Sequence, residues 1–371
     1  MDPFSQTALR FPLVARFRPA CLPLPDRVQA LVDLAARAAH QGEQGLASTV
    51  FNQSALLASD LGLPDLARSM CHRHARAYLA ATPLTAASAI RGLEPLVNLA
   101  RLQIRAGNTD DGRQRILDLH EAFGTADSAD FEGITVPADL CRTEDDRQEV
   151  RAWLWRVLLA DGTRALTGTG RWREALAHIE QHRGVGSRML DGRQVAVVAA
   201  LTEGDTARAW DLITTTTPGD PWEQEVTGCL AVLCRRDTGQ DSDAALSALV
   251  NTYLNHEAQP GLTVFDMRLG LTVLDAIDNR EPASARSIVD DLARRTTWAR
   301  DGYAARETLA DRMFTRIATD RQRNDARALF QACGLEAADL SDEHAAALSS
   351  GLDRSQAVIT RSLAVAAPSR A

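Results

Sequence analysis

The sequence contains no lysine. All 41 of its basic residues are arginine; they face 49 carboxylates, and the net charge is −8. So acidic a chain makes a poor nonspecific partner for a polyanion, and direct nucleic-acid binding is not expected, though an acidic total leaves room for a local basic face. Aromatic residues are scarce at 5%, so the core has to be built from small aliphatic side chains. No run of about 18 apolar residues is present, so no membrane-spanning helix is expected. The start, MDPFSQTALRFPLVARF, has neither an apolar h-region nor a small-residue cleavage site, which excludes a secretory signal there. The cysteines are Cys21, Cys71, Cys141, Cys229, Cys234 and Cys333, and none form a CxxC pair. Scattered thiols on apolar helix faces read as buried and reduced, which implies a cytoplasmic protein. Phosphate loops, GxSxG elbows and GxGxxG turns after a strand are all missing.

Helical signals fill the rest. RVQALVDLAARAAHQ and ARSIVDDLARR carry apolar residues three and four apart among strong helix formers. The β-branched stretches VAVVAAL and LTVFDMRLGLTVLDAI fall inside the same helical period. The fold class is therefore all-α.

One arrangement recurs. In GTGRWREALAHIEQH, a helix ends near Gly168–Gly170, Trp172 follows, and Ala175 takes the first buried position of the next helix. Gly62 with Ala67, Gly107 with Gly112, Gly204 with Ala209, and Gly239 with Ala244 repeat it, and Arg280 with Ala285 and Arg321 with Ala326 do so without the glycine. Glycine reaches the left-handed conformation that ends a helix. A small residue five positions on lets two helices approach closely. One such hairpin cannot bury its own apolar face, so copies must stack.

Gly and Ala at residues 170–175, 204–209 and 239–244, with turn glycines 34 and 35 residues apart, resemble the tetratricopeptide repeat family. The resemblance covers roughly residues 30–335. It implies a right-handed superhelical solenoid of six to eight antiparallel helix pairs, flanked by an extended N-terminal segment (1–29) and a C-terminal helix and tail (336–371). The tail after Ala357 is expected to fray. The segments NQSALLASDLGLPDLARSMCHRH and LEPLVNLARLQIRAGN also look like proteins of actinobacterial gene clusters, and an all-arginine basic set fits the codon use of such a high-GC genome. Residues 124–146 interrupt the array. Seven carboxylates (Asp127, Asp130, Glu132, Asp139, Glu144, Asp145 and Asp146) face Arg142 alone. This segment is expected as a solvated loop that buries little and can fold over a basic stripe.

The candidates for chemistry each have a plainer reading. His178 and His182 have the i, i+4 spacing of half a metal site, but no third ligand of similar quality stands near. Cys71 and His74 are i, i+3, with Cys71 on the buried stripe. Cys229 and Cys234, five apart, face different ways, and a disulfide is not expected. Glu203 and Asp205 cap a turn, and Glu144 to Asp146 start a helix.

The strongest signal lies on the first helices of the hairpins, which in such solenoids line the concave wall. Asn52 and Gln53 stand on one. Glu94, Asn98, Arg101 and Arg105 stand on the next, the last three in a single stripe. Amide and guanidinium groups grip a peptide backbone and its carboxylates, whereas the plainer reading is a solvated helix face. The function expected is thus a non-catalytic scaffold with a protein or peptide partner and no cofactor or metal. It may be set against two others: a regulatory sensor acting through a separate DNA-binding protein, and an auxiliary or catalytic protein of an actinobacterial biosynthetic cluster on a helical scaffold. The oligomeric state is left open.

Overall fold

Each turn glycine does what its lack of a side chain permits. Gly62, Gly107, Gly170, Gly204 and Gly239 all have φ between 69° and 88°. After each, the next amide reaches back five residues to close the helix end, as in Leu63 N–H to the Ala58 carbonyl at 2.9 Å and Asp205 N–H to the Ala200 carbonyl at 2.9 Å. These are Schellman caps, and they convert the repeated glycine into a repeated chain reversal.

The structure is a computed structural model and describes residues 1–125, 127–277 and 282–366. The described chain is helical apart from one two-stranded hairpin and the connecting segments. In chain order it has α1 (Gln6–Arg10), α2 (Leu24–Gln41), α3 (Gln44–Asp60), α4 (Pro64–Leu79), α5 (Ala86–Arg105) and α6 (Thr109–Thr125). The hairpin β1 (Ala129–Phe131) and β2 (Ile134–Val136) comes next. Then α7 (Glu144–Val157) runs through a π-turn (Leu158–Gly162) into α8 (Thr163–Thr167). It continues with α9 (Trp172–Gln181), α10 (Asp191–Thr202), α11 (Thr206–Thr214), α12 (Pro221–Asp237), α13 (Asp243–Leu254), α14 (Thr263–Ile277) and α15 (Pro282–Ala299). The last four are α16 (Gly302–Ala310), α17 (Arg312–Ile317), α18 (Asp320–Ala332) and α19 (Asp342–Ala366).

The chain forms two units, neither continuous in sequence. Unit 1 joins residues 1–23 to residues 166–333, and unit 2 joins residues 24–165 to the chain from residue 334 onward. In unit 2, α2 to α6 pack each on the next, and α19 lies against α2, α3 and α4. Its core includes Phe51, Tyr78, Leu93, Leu96 and Ile116, closed by Leu352, Ile359 and Leu363 of α19. In unit 1, α9 to α13 pack in sequence order and α14 touches α12, α13, α15 and α16. Here α10 is buried on all sides from Gly192 to Leu201, which is why VAVVAAL shows no polar face.

Five expectations are corrected. The N-terminal 29 residues are not all extended, since α1 forms at Gln6–Arg10 and α2 begins at Leu24. The chain after Ala357 continues as helix to Ala366, because Val358, Ile359 and Leu363 are buried; residues 367–371 lie outside the described residues. Segment 124–146 is not a solvated loop. It forms the hairpin, with Phe131, Ile134, Val136 and Leu140 buried. The fourth correction is Ala244, which is exposed. There α13 starts four residues after Gly239, whereas α4, α6, α9 and α11 start two residues after theirs, so Leu246 is buried instead. Arg321 lies inside α18, whose N-terminus is capped by Thr319. Arg280, aligned with it, falls outside the described residues. Ala67, Ala175 and Ala209 are fully buried as their position requires.

Candidate functional site

The side chains proposed from the sequence come together on unit 2, where α3 and α5 pack side by side. Asn52 Nδ2 donates to Glu94 Oε2 at 2.7 Å, and Asn98 Nδ2 donates to Asn52 Oδ1 at 3.1 Å. Arg101 donates to Asn98 Oδ1 at 2.9 Å. One row of bonds thus runs from α3 across to α5 and along it. The row follows from helix geometry: Glu94, Asn98, Arg101 and Arg105 recur at three- and four-residue steps and share a face. Gln53, about 100° round the helix from Asn52, stands half-buried outside this row of bonds.

The row has an acidic border that the sequence reading missed. Arg101 reaches Asp161 Oδ2 at 2.7 Å, and Arg105 reaches Ser59 Oγ at 2.6 Å and Asp60 Oδ1 at 3.5 Å. Ser59 and Asp60 lie seven and eight residues after Asn52, on the same stripe of α3, so helical spacing was a usable signal for them. Asp161 sits in the π-turn, a local widening that spacing rules do not anticipate. Asp60 is buried and also takes Arg27 at 2.8 Å. The Arg101 and Arg105 side chains keep 47% and 51% of their surface, so both forks remain reachable from solvent. Burial raises the pKa of Glu94, opposed by the hydrogen bond from Asn52 and by Arg91 and Arg101.

The other candidates resolve by environment. His74 is buried, its ring Nε2 3.0 Å from Ser48 Oγ and stacked on Phe51 with centroids 4.8 Å apart. Burial lowers its pKa to about 3, so it is neutral. Burial also pushes the Cys71 thiol up to about 12, so the side chain stays a protonated thiol at neutral pH. His178 is buried; its ring meets that of His182 edge-on at 4.9 Å. Among the described residues no group of three His, Cys, Asp or Glu side chains is placed to hold a metal ion.

The acidic hairpin does meet a basic surface, but not the expected one. Glu132, at its tip, accepts from Arg68, from Arg115 at 2.8 Å and from Gln103 at 3.3 Å, with His72 Nε2 at 3.4 Å. These partners lie on α4, α5 and α6. The Arg101 and Arg105 forks are left to other carboxylates.

No family model matches the chain, and no curated protein or solved structure matches it.

Proposed function

We propose that the protein is a non-catalytic helical-repeat scaffold that binds a peptide or protein segment across the α3/α5 face of unit 2. The observation that carries this reading is the bonded row Glu94–Asn52–Asn98–Arg101, which ends at the Arg101 guanidinium, with the Arg105 guanidinium one turn further along α5, both half open to solvent. A pre-ordered amide row offers donors and acceptors to an extended backbone, and the arginines can exchange Asp161 and Asp60 for carboxylates of a partner. The hairpins are TPR-like in this reading, supported by the glycine caps and the 34- and 35-residue spacings. A cytoplasmic place fits six cysteines without a disulfide.

The test is a peptide-library selection on the full chain, followed by affinity measurement on Arg101→Ala/Arg105→Ala. Acidic peptides are expected to be selected. The double variant should bind them at least tenfold more weakly, since a charge-assisted hydrogen bond contributes about 1.5–3 kcal/mol. Equal affinity for both proteins removes this face from the function.

A further inference from the structure

Unit 1 contains a segment that it holds as a ligand is held. From Phe11 to Pro23 the chain forms neither helix nor strand, turns once where Arg16 N–H donates to the Val14 carbonyl at 2.8 Å, and stays within the unit. Gln194, fully buried in α10, grips the backbone of Leu13 at two points. Its Nε2 donates to the Leu13 carbonyl and its Oε1 accepts from the Leu13 N–H, each at 2.7 Å. An amide presents donor and acceptor side by side, as a neighbouring strand does. Further along, Arg18 N–H donates to the Gly261 carbonyl at 2.8 Å, and Gly302 N–H donates to the Cys21 carbonyl at 2.7 Å. Cys21 N–H donates to Asp301 Oδ1 at 3.1 Å.

Side chains add selectivity. Arg10 enters between Asp275, at 2.5 Å, and Asp311, and Arg16 meets Asp191 at 2.5 Å. Phe11 and Leu13, between these arginines, are buried in the core. The main chain is therefore read at three places and charge at two, and the carboxylates of the unit complement the arginines of the segment.

The stretch that leads away from these contacts is open to solvent. Residues 16–20 are exposed. Beyond Pro23 the chain passes directly into α2, which belongs to unit 2. Non-covalent contacts alone hold the segment to the rest of unit 1 over this stretch, and an identical segment offers identical contacts.

We propose that residues 166–333 carry an acceptor channel for a non-helical, arginine-flanked segment, filled here by the end of α1 at Arg10 and the chain to Cys21 and open to those residues from a second copy. The channel is independent of the α3/α5 face, so either can fail without the other.

The test uses the full chain with a specific protease site placed over residues 17–20. After cutting, a peptide of residues 1–18 carrying a dye at its carboxyl end is added. The cut protein is expected to keep its helical circular dichroism and to exchange its own segment for the labelled one. Gln194→Ala should weaken uptake about tenfold, the scale of a lost buried hydrogen-bonded pair. Arg16→Ala in the added peptide, which leaves the protein itself unaltered, should weaken it a few-fold. A cut chain that unfolds makes the segment part of the core and overturns the proposal, as does a folded cut chain that takes up no peptide. In the second arm, two uncut chains with different tags are mixed, loosened in moderate urea, returned to buffer and captured on one tag. Mixed pairs are expected, fewer with Gln194→Ala. Their absence at every concentration overturns the exchange between copies.

Discussion

His256 Nδ1 lies 2.9 Å from Glu225 Oε1. On the other side of the ring, Nε2 stands 3.4 Å from Asp266 Oδ1, a distance at which charge acts more than a formed hydrogen bond. Both carboxylates are buried or nearly so, and Arg295 and Tyr253 flank the cluster, Arg295 donating to the His256 carbonyl at 2.7 Å. Asp266 and then Glu225 raise the His256 pKa to about 9, against the opposing effect of burial.

A pH dependence follows from the sign of that shift. Because the folded value lies above the ordinary 6.5, the imidazolium stabilises unit 1 fully below pH 6.5, and its contribution fades as pH rises to about 9. The amount at stake is at most about 3 kcal/mol, because the Asp266 contact falls short of a formed hydrogen bond. Urea unfolding across this window should show the native protein losing stability, while His256→Gln, less stable at the low end, should show a flatter profile. Parallel profiles for the two proteins would remove His256 as the source.

The hairpin should prove structural. Phe131 is only 4% exposed and packs with Ile134 and Val136 in the core of unit 2. Phe131→Ala is expected to cost about 3–5 kcal/mol. Replacing residues 126–140 with a short Gly/Ser linker should lower the melting temperature more than Phe131→Ala does. A melting temperature unchanged by the linker would mean that the hairpin is dispensable.

Gly112 decides between two opposed effects. Alanine in a helix interior usually gains about 1 kcal/mol over glycine. A Cβ at Gly112, however, would stand 2.6 Å from the Ala100 carbonyl oxygen and 2.6 Å from Ile104 Cγ1. A backbone oxygen in α5 cannot swing aside, so α5 and α6 must part. Gly112→Ala is expected to destabilise by about 1–3 kcal/mol in thermal or urea unfolding; a gain in stability would show that the two helices have room to separate.

Local chemistry was legible and long-range pairing was not. The turn glycines announced themselves because few other residues tolerate their backbone angles. Ala244 misled because the turn after Gly239 is two residues longer, which a fixed offset cannot register. The hairpin was hidden by its acidic composition and by strands of three residues. The turn that joins the strands, Glu132–Gly133, has positive φ at both residues, as a tight two-residue hairpin requires, but glutamate stands where asparagine or aspartate would have announced it. Of the candidate site, the α5 stripe could be read from helical spacing. Its bond to Asn52 needed the α3/α5 packing, and Asp161 needed the π-turn. Gln194 and Leu13 are 181 residues apart, and nothing in either neighbourhood names the other.

The interleaving of the two units has a consequence during synthesis. The ribosome releases α2 to α8 early, yet α19, which covers the apolar sides of α2, α3 and α4, appears only after residues 166–333 have been made. At about 5–20 residues per second, that delay is on the order of ten seconds or more. Throughout it, the faces of α2 and α3 that α19 will cover, Ala35 among them, wait without their cover, while unit 1 already has its N-terminal segment in hand. A nascent chain of this design is most exposed to wrong partners in unit 2, whose first helices are finished long before the helix that closes them.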